Sequence, residues 1–500
     1  MDVRRQINSE IGFEVPPSTM LTGAAGESAL AALSTPEWAD LLWDVVVIGG
    51  GNAALTSAMS AHDGGARVLV LERAPRHMRG GNSRHTRNIR AIHRKDEFNS
   101  GDYLYEEMWR DLCEVGEGPS NEALASFTVR QTETIIPWMS SHGAYWQQPL
   151  AGTLHLGRTA RFFLGGGKNL LNSYYRHIDK SPGITVVYDA KVEEFEFSAD
   201  QCTAVIVAYG DSTFRVRTKS VVCASGGFEA NLEWLRRYWG SAVDNYIIRG
   251  TPYNDGHVLA KLYEAHAASS GQERGFHSVA VDARSPKFDG GLATRLDTIP
   301  FGIVVNQYGE RFQDEGEELW PKRYAVWGRH IAEQPDQLAV SLWDSKVTGE
   351  FLPPMYGVTS ANTIGELAAA LNLSPTVLEE TVRKYNDSVV DGTFDPSILD
   401  NCHTENLTPP KSHWAQRLDK PPFSGVAMRP GITFTYLGLA VAEDARVLRE
   451  DGSAFRNVFA AGEIMSGNIL STGYLAGFGM AIGAVWGRHA GREAAKHINE

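Results

Sequence analysis

An α/β fold, a parallel sheet flanked by helices and interrupted by an inserted α+β domain, is predicted by three observations. Residues 44–72 read as strand, glycine turn, helix, strand and acidic cap. Further glycine-ended elements recur at Gly80-Gly81-Asn82-Ser83, Ala224-Ser225-Gly226-Gly227 and Ala460-Ala461-Gly462-Glu463. Between Gly271 and about Pro410 the composition shifts to glycine–aspartate turns, isolated strands and two amphipathic helices.

The first unit carries a mechanism as well as a pattern. Asp44-Val-Val-Val-Ile48 is a short β-branched run of the kind that forms a buried parallel strand. Gly49-Gly50-Gly51 follows at once, and Asn52 to His62 is rich in small residues that suit a closely packed helix. Gly64-Gly65 ends that helix, and Val68 to Leu71 forms a second apolar strand before Glu72. Gly49 permits the turn, Gly51 lets the backbone approach a pyrophosphate, and Ala54 takes the position where helix and strand pack closely. The pyrophosphate rests on the helix N-terminus and Glu72 takes ribose hydroxyls. Strand before, helix after and acid at the expected distance together define a dinucleotide site.

Length, charge and cysteine usage bound the rest. Five hundred residues call for two or three domains. Hydrophobic content of 43% and charged content of 21% are those of a globular chain with a large core. A net charge of −13 argues against nucleic acid or an anionic membrane as main partner. Cys113, Cys202, Cys223 and Cys402 are far apart and form no C-x-x-C, which excludes a cysteine-held iron–sulfur cluster in this chain and fits a reduced, cytoplasmic setting. Residues 1–42 hold no apolar run of signal-peptide type, and acids at Asp2, Glu10, Glu14 and Glu27 speak against a transit peptide, so they read as an N-terminal arm. No apolar run is long enough to span a bilayer, and no metal site is expected.

Along the chain, 43–270 reads as the first part of the nucleotide domain, 271–412 as a capping or substrate domain, and 413–500 as the second part of the nucleotide domain. Arg79 to Arg90 follows its glycine turn with alternating basic and small residues; Arg84, Arg87, Arg90 and Arg94 concentrate positive charge in an acidic chain. Residues 103–142 are predicted helical, and Gly165 to Tyr175 runs from a glycine loop into a helix. Strands are predicted at 184–188, 190–197, 202–209 and 213–218, with a separate buried strand entering Gly226-Gly227. Gly473 to Gly491 forms a small-residue helix.

One fingerprint would be enough for a nicotinamide domain. The whole set of four glycine-ended elements instead resembles the flavoprotein subunits of the fumarate reductase and succinate dehydrogenase superfamily, over nearly everything after residue 42. Within it the pattern is similar to the FAD-dependent tricarballylate dehydrogenases, on Gly80 to Asn88, Arg161 to Lys168, Trp320 to Arg329, Gly431 to Gly438 and Gly473 to Met480. The resemblance implies a Rossmann-like FAD-binding domain of the glutathione-reductase type, with a mobile cap over the flavin. It implies that FAD is held by Gly49, Gly51, Asn52, Ala53, Glu72 and Arg73 in the first unit, and by Gly80, Gly81, Asn82, Ser83 and Thr86 in the second. Val192, Ala224, Gly226, Asp255, Gly462, Glu463, Gly477 and Gly479 complete the set. Relatives that attach FAD covalently use a histidine at the position where this chain has Asn82, not His85, so the expectation is non-covalent FAD.

The resemblance also implies the chemistry: oxidation of a saturated polycarboxylic acid, tricarballylate to cis-aconitate, by removal of an α proton and transfer of a β hydride to flavin N5. Electrons then pass to an external acceptor, a quinone-linked iron–sulfur protein or another carrier. An α C–H next to a carboxylate is a very weak acid, so positive charge must clamp and polarise the substrate. Arg87, Arg90, Thr294 and Arg295 are the expected clamp. Arg323 follows Asn306-Gln-Tyr-Gly-Glu-Arg-Phe-Gln-Asp-Glu315 where the family carries its proton-shuttle arginine, and alanine there is expected to abolish turnover. Tyr436 and Tyr474 stand where fumarate reductases have a histidine and a second arginine. Arg295 replaces a glutamate, adding positive charge that suits an extra carboxylate. The two tyrosines keep open a ketosteroid-type or fumarate reductase-like dehydrogenase, and a non-catalytic flavin-binding protein is the alternative of another class.

Overall fold

The computed structural model describes residues 35–116, 118–149, 156–288 and 294–498. Met1–Pro36 and Glu37–Glu500 form separate units, and most of the expected N-terminal arm lies outside the described residues.

The nucleotide sheet is built around β1 (Leu42–Ile48), which runs parallel to β2 (Val68–Leu71) on one side. Between them lies α1 (Asn52–Asp63). Beyond β2 comes β3 (Ile184–Val187), also parallel. β4 (Ala190–Ser198) and β5 (Gln201–Tyr209) make an antiparallel hairpin that feeds β6 (Ser212–Cys223). β6 is parallel to β1 on its other side. The strand expected at 213–218 and the separate one expected to enter Gly226-Gly227 are thus one, ending at Cys223. Its first part alternates toward solvent against the hairpin, and its last four residues are buried, Val221–Cys223 between two parallel neighbours. A continuous ladder overrides the change of pattern that reads as a break in sequence.

The helical stretch at 103–142 divides into Tyr105–Val115 and Glu122–Ser141, where Asn121 caps the second helix by accepting the Leu124 N–H at 3.2 Å.

A second, six-stranded sheet is mostly antiparallel. β7 (Phe276–Asp282), β8 (Ile303–Asn306) and β9 (Ala339–Trp343) come from the expected cap. Its long strand is β10 (Phe423–Thr435), which pairs with β7, with β9 and with the short Ile247–Ile248 strand. Both β10 and Ile247–Ile248 lie in segments assigned to the nucleotide domain, so the sheet crosses the boundaries read at 270 and 412. Thirteen residues of β10 span both the cap and the cleft.

The chain then returns to the first sheet. β11 (Ala454–Ala460) lies parallel to β6, and α2 (Phe478–His497) packs on α1. That contact explains the small residues of α2: a Cβ on Gly487 would stand 2.0 Å from Thr56 Oγ1, and one on Gly491 2.2 Å from the Ser57 carbonyl. Asn52 Nδ2 reaches across to the Met480 carbonyl at 3.1 Å.

Candidate active site

A cleft of about 1480 Å³, counted with its open mouth, runs along the carboxyl ends of the first sheet's parallel strands toward the second sheet. At its nucleotide end Gly49 has φ +116°, and a Cβ there would stand 2.4 Å from the Ala224 carbonyl. Gly51 caps α1 without a side-chain acceptor, which leaves the helix N-terminus open to an anion. Ser83 Oγ accepts the Asn52 N–H at 3.2 Å and joins the second glycine element to the first. Glu72 is buried under the turn; burial raises its carboxyl pKa, and one oxygen accepts the Ala74 N–H at 2.8 Å. Arg73 pairs with Asp255 at 2.6 Å on the cleft wall. Of the expected cofactor residues, Gly80 alone does not line the cleft; it supports the wall in a left-handed conformation (φ +109°).

Midway along, Asn82 ties four segments together. Its Nδ2 donates to Glu229 and to the Thr433 carbonyl (2.8 Å), while its Oδ1 accepts the Thr251 N–H at 2.8 Å. Asn254 Nδ2 also donates to Glu229, at 2.8 Å. Glu463 Oε1 accepts the Thr435 N–H at 2.8 Å. Both carboxyls are pushed up by burial, Glu229 to about 7 and Glu463 well above the ordinary range; the Glu229 charge and hydrogen bond raise Glu463 further, while the bond from Glu463 partly offsets the rise at Glu229.

At the cap end three guanidiniums converge on the cleft. Arg295 lies 2.7 Å from Asp297 Oδ2, and Arg87 approaches the same oxygen at 3.6 Å. Trp320 Nε1 donates to Asp297 Oδ1 at 2.7 Å, fixing the carboxylate from behind. Arg249 donates to Thr433 Oγ1 at 3.2 Å and to the His85 carbonyl at 3.1 Å, and burial lowers its pKa. Tyr324, Phe434 and Tyr474 supply the aromatic wall. The Arg295 guanidinium lies 4.6 Å from the Tyr324 ring centroid. The Tyr474 ring stacks on His277 at 4.1 Å, and its oxygen accepts the Gly479 N–H at 2.8 Å. Burial raises the Tyr474 pKa, so it stands as a neutral phenol, and lowers that of His277, which is neutral beside Arg249.

Arg87, Arg295 and Tyr474 therefore share one wall, while other expected residues stand apart. Arg323 is outside the cleft lining, with its Nε 3.3 Å from Glu317. Tyr436 is fully buried and donates to the Gly473 carbonyl at 3.0 Å. Arg90 is buried too, donating to Tyr103 Oη (2.6 Å) and the Ala476 carbonyl (3.0 Å). Thr294 is buried behind the lining, where the Asp282 N–H donates to its carbonyl at 2.9 Å. Arg249, His277 and Tyr324 also line the cleft, and no local sequence pattern marks them. Tyr324 directly follows Arg323 in the quoted Trp320 to Arg329 stretch, so one helical step decides which side chain faces the cleft. Arg249 follows the two-residue strand Ile247–Ile248, too short to be read as an element.

A parallel sheet with a glycine turn, an uncapped helix N-terminus and a long cleft at its carboxyl edge defines a dinucleotide-binding protein. The family model described as FAD binding domain matches residues 44–479, and the chain belongs to that family. The residues fit the cofactor: Gly49 and Gly51 leave the turn and the α1 N-terminus open to an anion, and the same lining continues to the basic and aromatic residues beside the second sheet.

The chain is 29% identical to an NADH:fumarate oxidoreductase of Klebsiella pneumoniae over 91% of its own length, but spans only 48% of that protein. It is 26% identical to a probable fumarate reductase of Shewanella frigidimarina, covering 91% of this chain and 75% of that one. A 3-ketosteroid-Δ4-(5α)-dehydrogenase from Rhodococcus jostii has the same fold, with TM-score 0.71 and 21% identity over 93% of this chain and 99% of that one. Among the described residues no helix is long and apolar enough to cross a membrane, and no cluster of metal-ligating side chains occurs.

Proposed function

We propose that the protein is an FAD-dependent oxidoreductase acting on a CH–CH bond of a polycarboxylic acid, with oxidation of tricarballylate to cis-aconitate as the leading reaction. The observation that carries this reading is the convergence of Arg87, Arg249 and Arg295 on one cleft wall against a single carboxylate, Asp297. Three guanidiniums and one acid leave positive charge that a neutral steroid would not offset and that two or three substrate carboxylates would.

FAD, when bound, supplies the hydride acceptor or donor. Gly49, Gly51 and Asn52 would hold its pyrophosphate, Glu72 its ribose, and the Asn82–Glu229–Glu463 network the part nearer the cap. The arginines bind and orient the substrate; each charge-assisted hydrogen bond is worth about 1.5–3 kcal/mol. Tyr474 is the proton-transfer group this reading favours. In the reductive direction its neutral hydroxyl donates a proton to the substrate α-carbon and is left as a tyrosinate beside the cleft arginines; oxidation runs from that tyrosinate, which takes the α proton after the arginines have acidified the α C–H. Arg323, held by Glu317 outside the lining, is not needed for this route.

Reduction of an unsaturated dicarboxylate is the second reading, because the two curated relatives named above are a fumarate oxidoreductase and a probable fumarate reductase. The same clamp serves both directions. The test is anaerobic flavin bleaching by tricarballylate, succinate and a 3-ketosteroid in parallel, followed by reoxidation with cis-aconitate or fumarate. Bleaching by the ketosteroid alone, or by none of the three, would overturn the proposal.

A further inference from the structure

A second concavity lies on the outer side of the loop that walls the cleft. It is lined by Arg76, His77, Arg79, Arg84 and Lys168, over Leu171 and Asn172. Among the described residues none of the three arginines or the lysine makes an ion pair, in a chain whose net charge is −13. Arg79 is already fixed: its guanidinium lies 3.9 Å from the Tyr175 ring centroid and donates to Tyr188 Oη at 2.6 Å and Asn172 Oδ1 at 3.2 Å. Crowding four uncompensated cations costs stability, and an anionic partner repays it.

Position makes the patch informative. Arg79 and Arg84 flank Gly80 to Ser83, of which Gly81, Asn82 and Ser83 line the cofactor cleft. A Cβ on Gly80 would stand 2.5 Å from Leu171 at the floor of the basic pocket, so cleft and pocket share a wall one loop thick. The four cysteines are widely separated in sequence, and among the described residues no metal-ligating cluster occurs.

We propose that the pocket formed by Arg76, Arg79, Arg84 and Lys168 is the docking face for an acidic electron-transfer protein that exchanges electrons with the bound flavin. This rests on the oxidoreductase reading, but not on the identity of the acid substrate. In the oxidative direction the two-electron-reduced cofactor gives one electron to each of two one-electron acceptors, and its protons leave to solvent.

The test uses FAD-loaded protein, photoreduced anaerobically without any carboxylic acid, so a wrong substrate assignment cannot affect it. Reoxidation is followed with ferricyanide, a trivalent anion, and with hexaammineruthenium(III), a trivalent cation. In R76E/K168E the ferricyanide rate should fall about tenfold at low ionic strength, the ruthenium rate should not fall, and the ferricyanide difference should shrink to about twofold or less in ~0.5 M salt. Binding of a fluorescein-labelled ten-residue polyglutamate peptide, read by anisotropy, should weaken by roughly tenfold or more in the same variant. R76Q/K168Q replaces the reversal variant should the latter fail to retain flavin. Equal reoxidation by wild type and variant with both acceptors would overturn the proposal. So would complete displacement of the peptide by ~1 mM inorganic phosphate at matched ionic strength, which assigns the pocket to a small anion instead.

Discussion

Arg295 and Asp297 face each other at 2.7 Å on the cleft wall, and the same carboxylate restrains Arg87 at 3.6 Å. Asp297 thus orients two positive charges while cancelling only one. Removing Arg295 leaves Arg87 and Asp297 paired and takes one hydrogen-bonding cation from the proposed clamp. R295A is expected to weaken tricarballylate binding roughly 10- to 150-fold, the equivalent of one charge-assisted hydrogen bond. A titration of the flavin spectrum measures this directly, and affinity within a factor of two of wild type would remove Arg295 from the clamp.

Two substitutions separate the proton routes. If Tyr474 transfers the proton, Y474F slows the chemical step by about 10²–10⁴-fold while the flavin stays bound. R323A should then keep turnover within about threefold, since its partner Glu317 is on the cleft's outside. Stopped-flow bleaching reads both. The reverse outcome would restore the arginine shuttle that family resemblance implies.

How much of this was readable beforehand differs by residue. Gly49, Gly51 and Glu72 are dictated by local backbone geometry within one βαβ unit, and a short window shows it. The glycines of α2 were legible as a small-residue helix, though their partner Ala53–Ser57 is some 430 residues away. Arg87 and Arg90 look alike in sequence, three residues apart in a basic run. Only the tertiary contacts turn one to the cleft and the other to Tyr103. Arg249 and His277 gave no signal because each is placed by pairing with β10, a long-range contact with no local pattern. The membership of β10 in the second sheet was hidden for the same reason: its partners decide it, not its composition.

The carboxyl pair beside Asn82 predicts a pH dependence. Glu229 is raised to about 7 in the folded protein, above the 4.5 of an ordinary glutamate. A raised folded pKa means that the native state binds more protons than the unfolded chain between these values. The stabilisation is full below about 4.5 and is lost as pH rises toward and through about 7. Thermal midpoints between pH 5 and 8 should therefore fall more steeply for wild type than for E229Q. Parallel pH profiles would show that the pair does not share a proton in this window.

The side chain at Asn82 is an amide, which cannot form the covalent flavin link that a histidine forms. It is also fully engaged with Glu229, Thr433 and Thr251. Acid precipitation of the holoprotein should leave a colourless pellet and a yellow supernatant. Flavin retained in the washed pellet would contradict the non-covalent assignment.

Arg90 supplies the last contrast, because it carries the same charge as Arg87 and is placed to hold structure. It is 1% exposed, donates from Nε to the Ala476 carbonyl at 3.0 Å, and meets Tyr103, whose hydroxyl donates to Asp111 at 2.8 Å. Its backbone N–H also donates to the Gly477 carbonyl at 3.1 Å, so it fastens the basic strand to the segment that follows Tyr474. Replacing it by leucine keeps the volume but strands Tyr103 and the Ala476 carbonyl and leaves Asp111 with Lys322, 3.1 Å away, as its remaining cation. Breaking a buried charged pair of this kind costs about 3–5 kcal/mol. R90L is therefore expected to lower the urea midpoint strongly, and to release flavin, while the folded, flavin-loaded fraction binds tricarballylate within about threefold of wild type. R87L should show the opposite pattern, near-normal unfolding with weakened binding, because its guanidinium faces the cleft and its nearest carboxylate keeps Arg295. Equal losses of binding in the two variants would place Arg90 in the clamp after all.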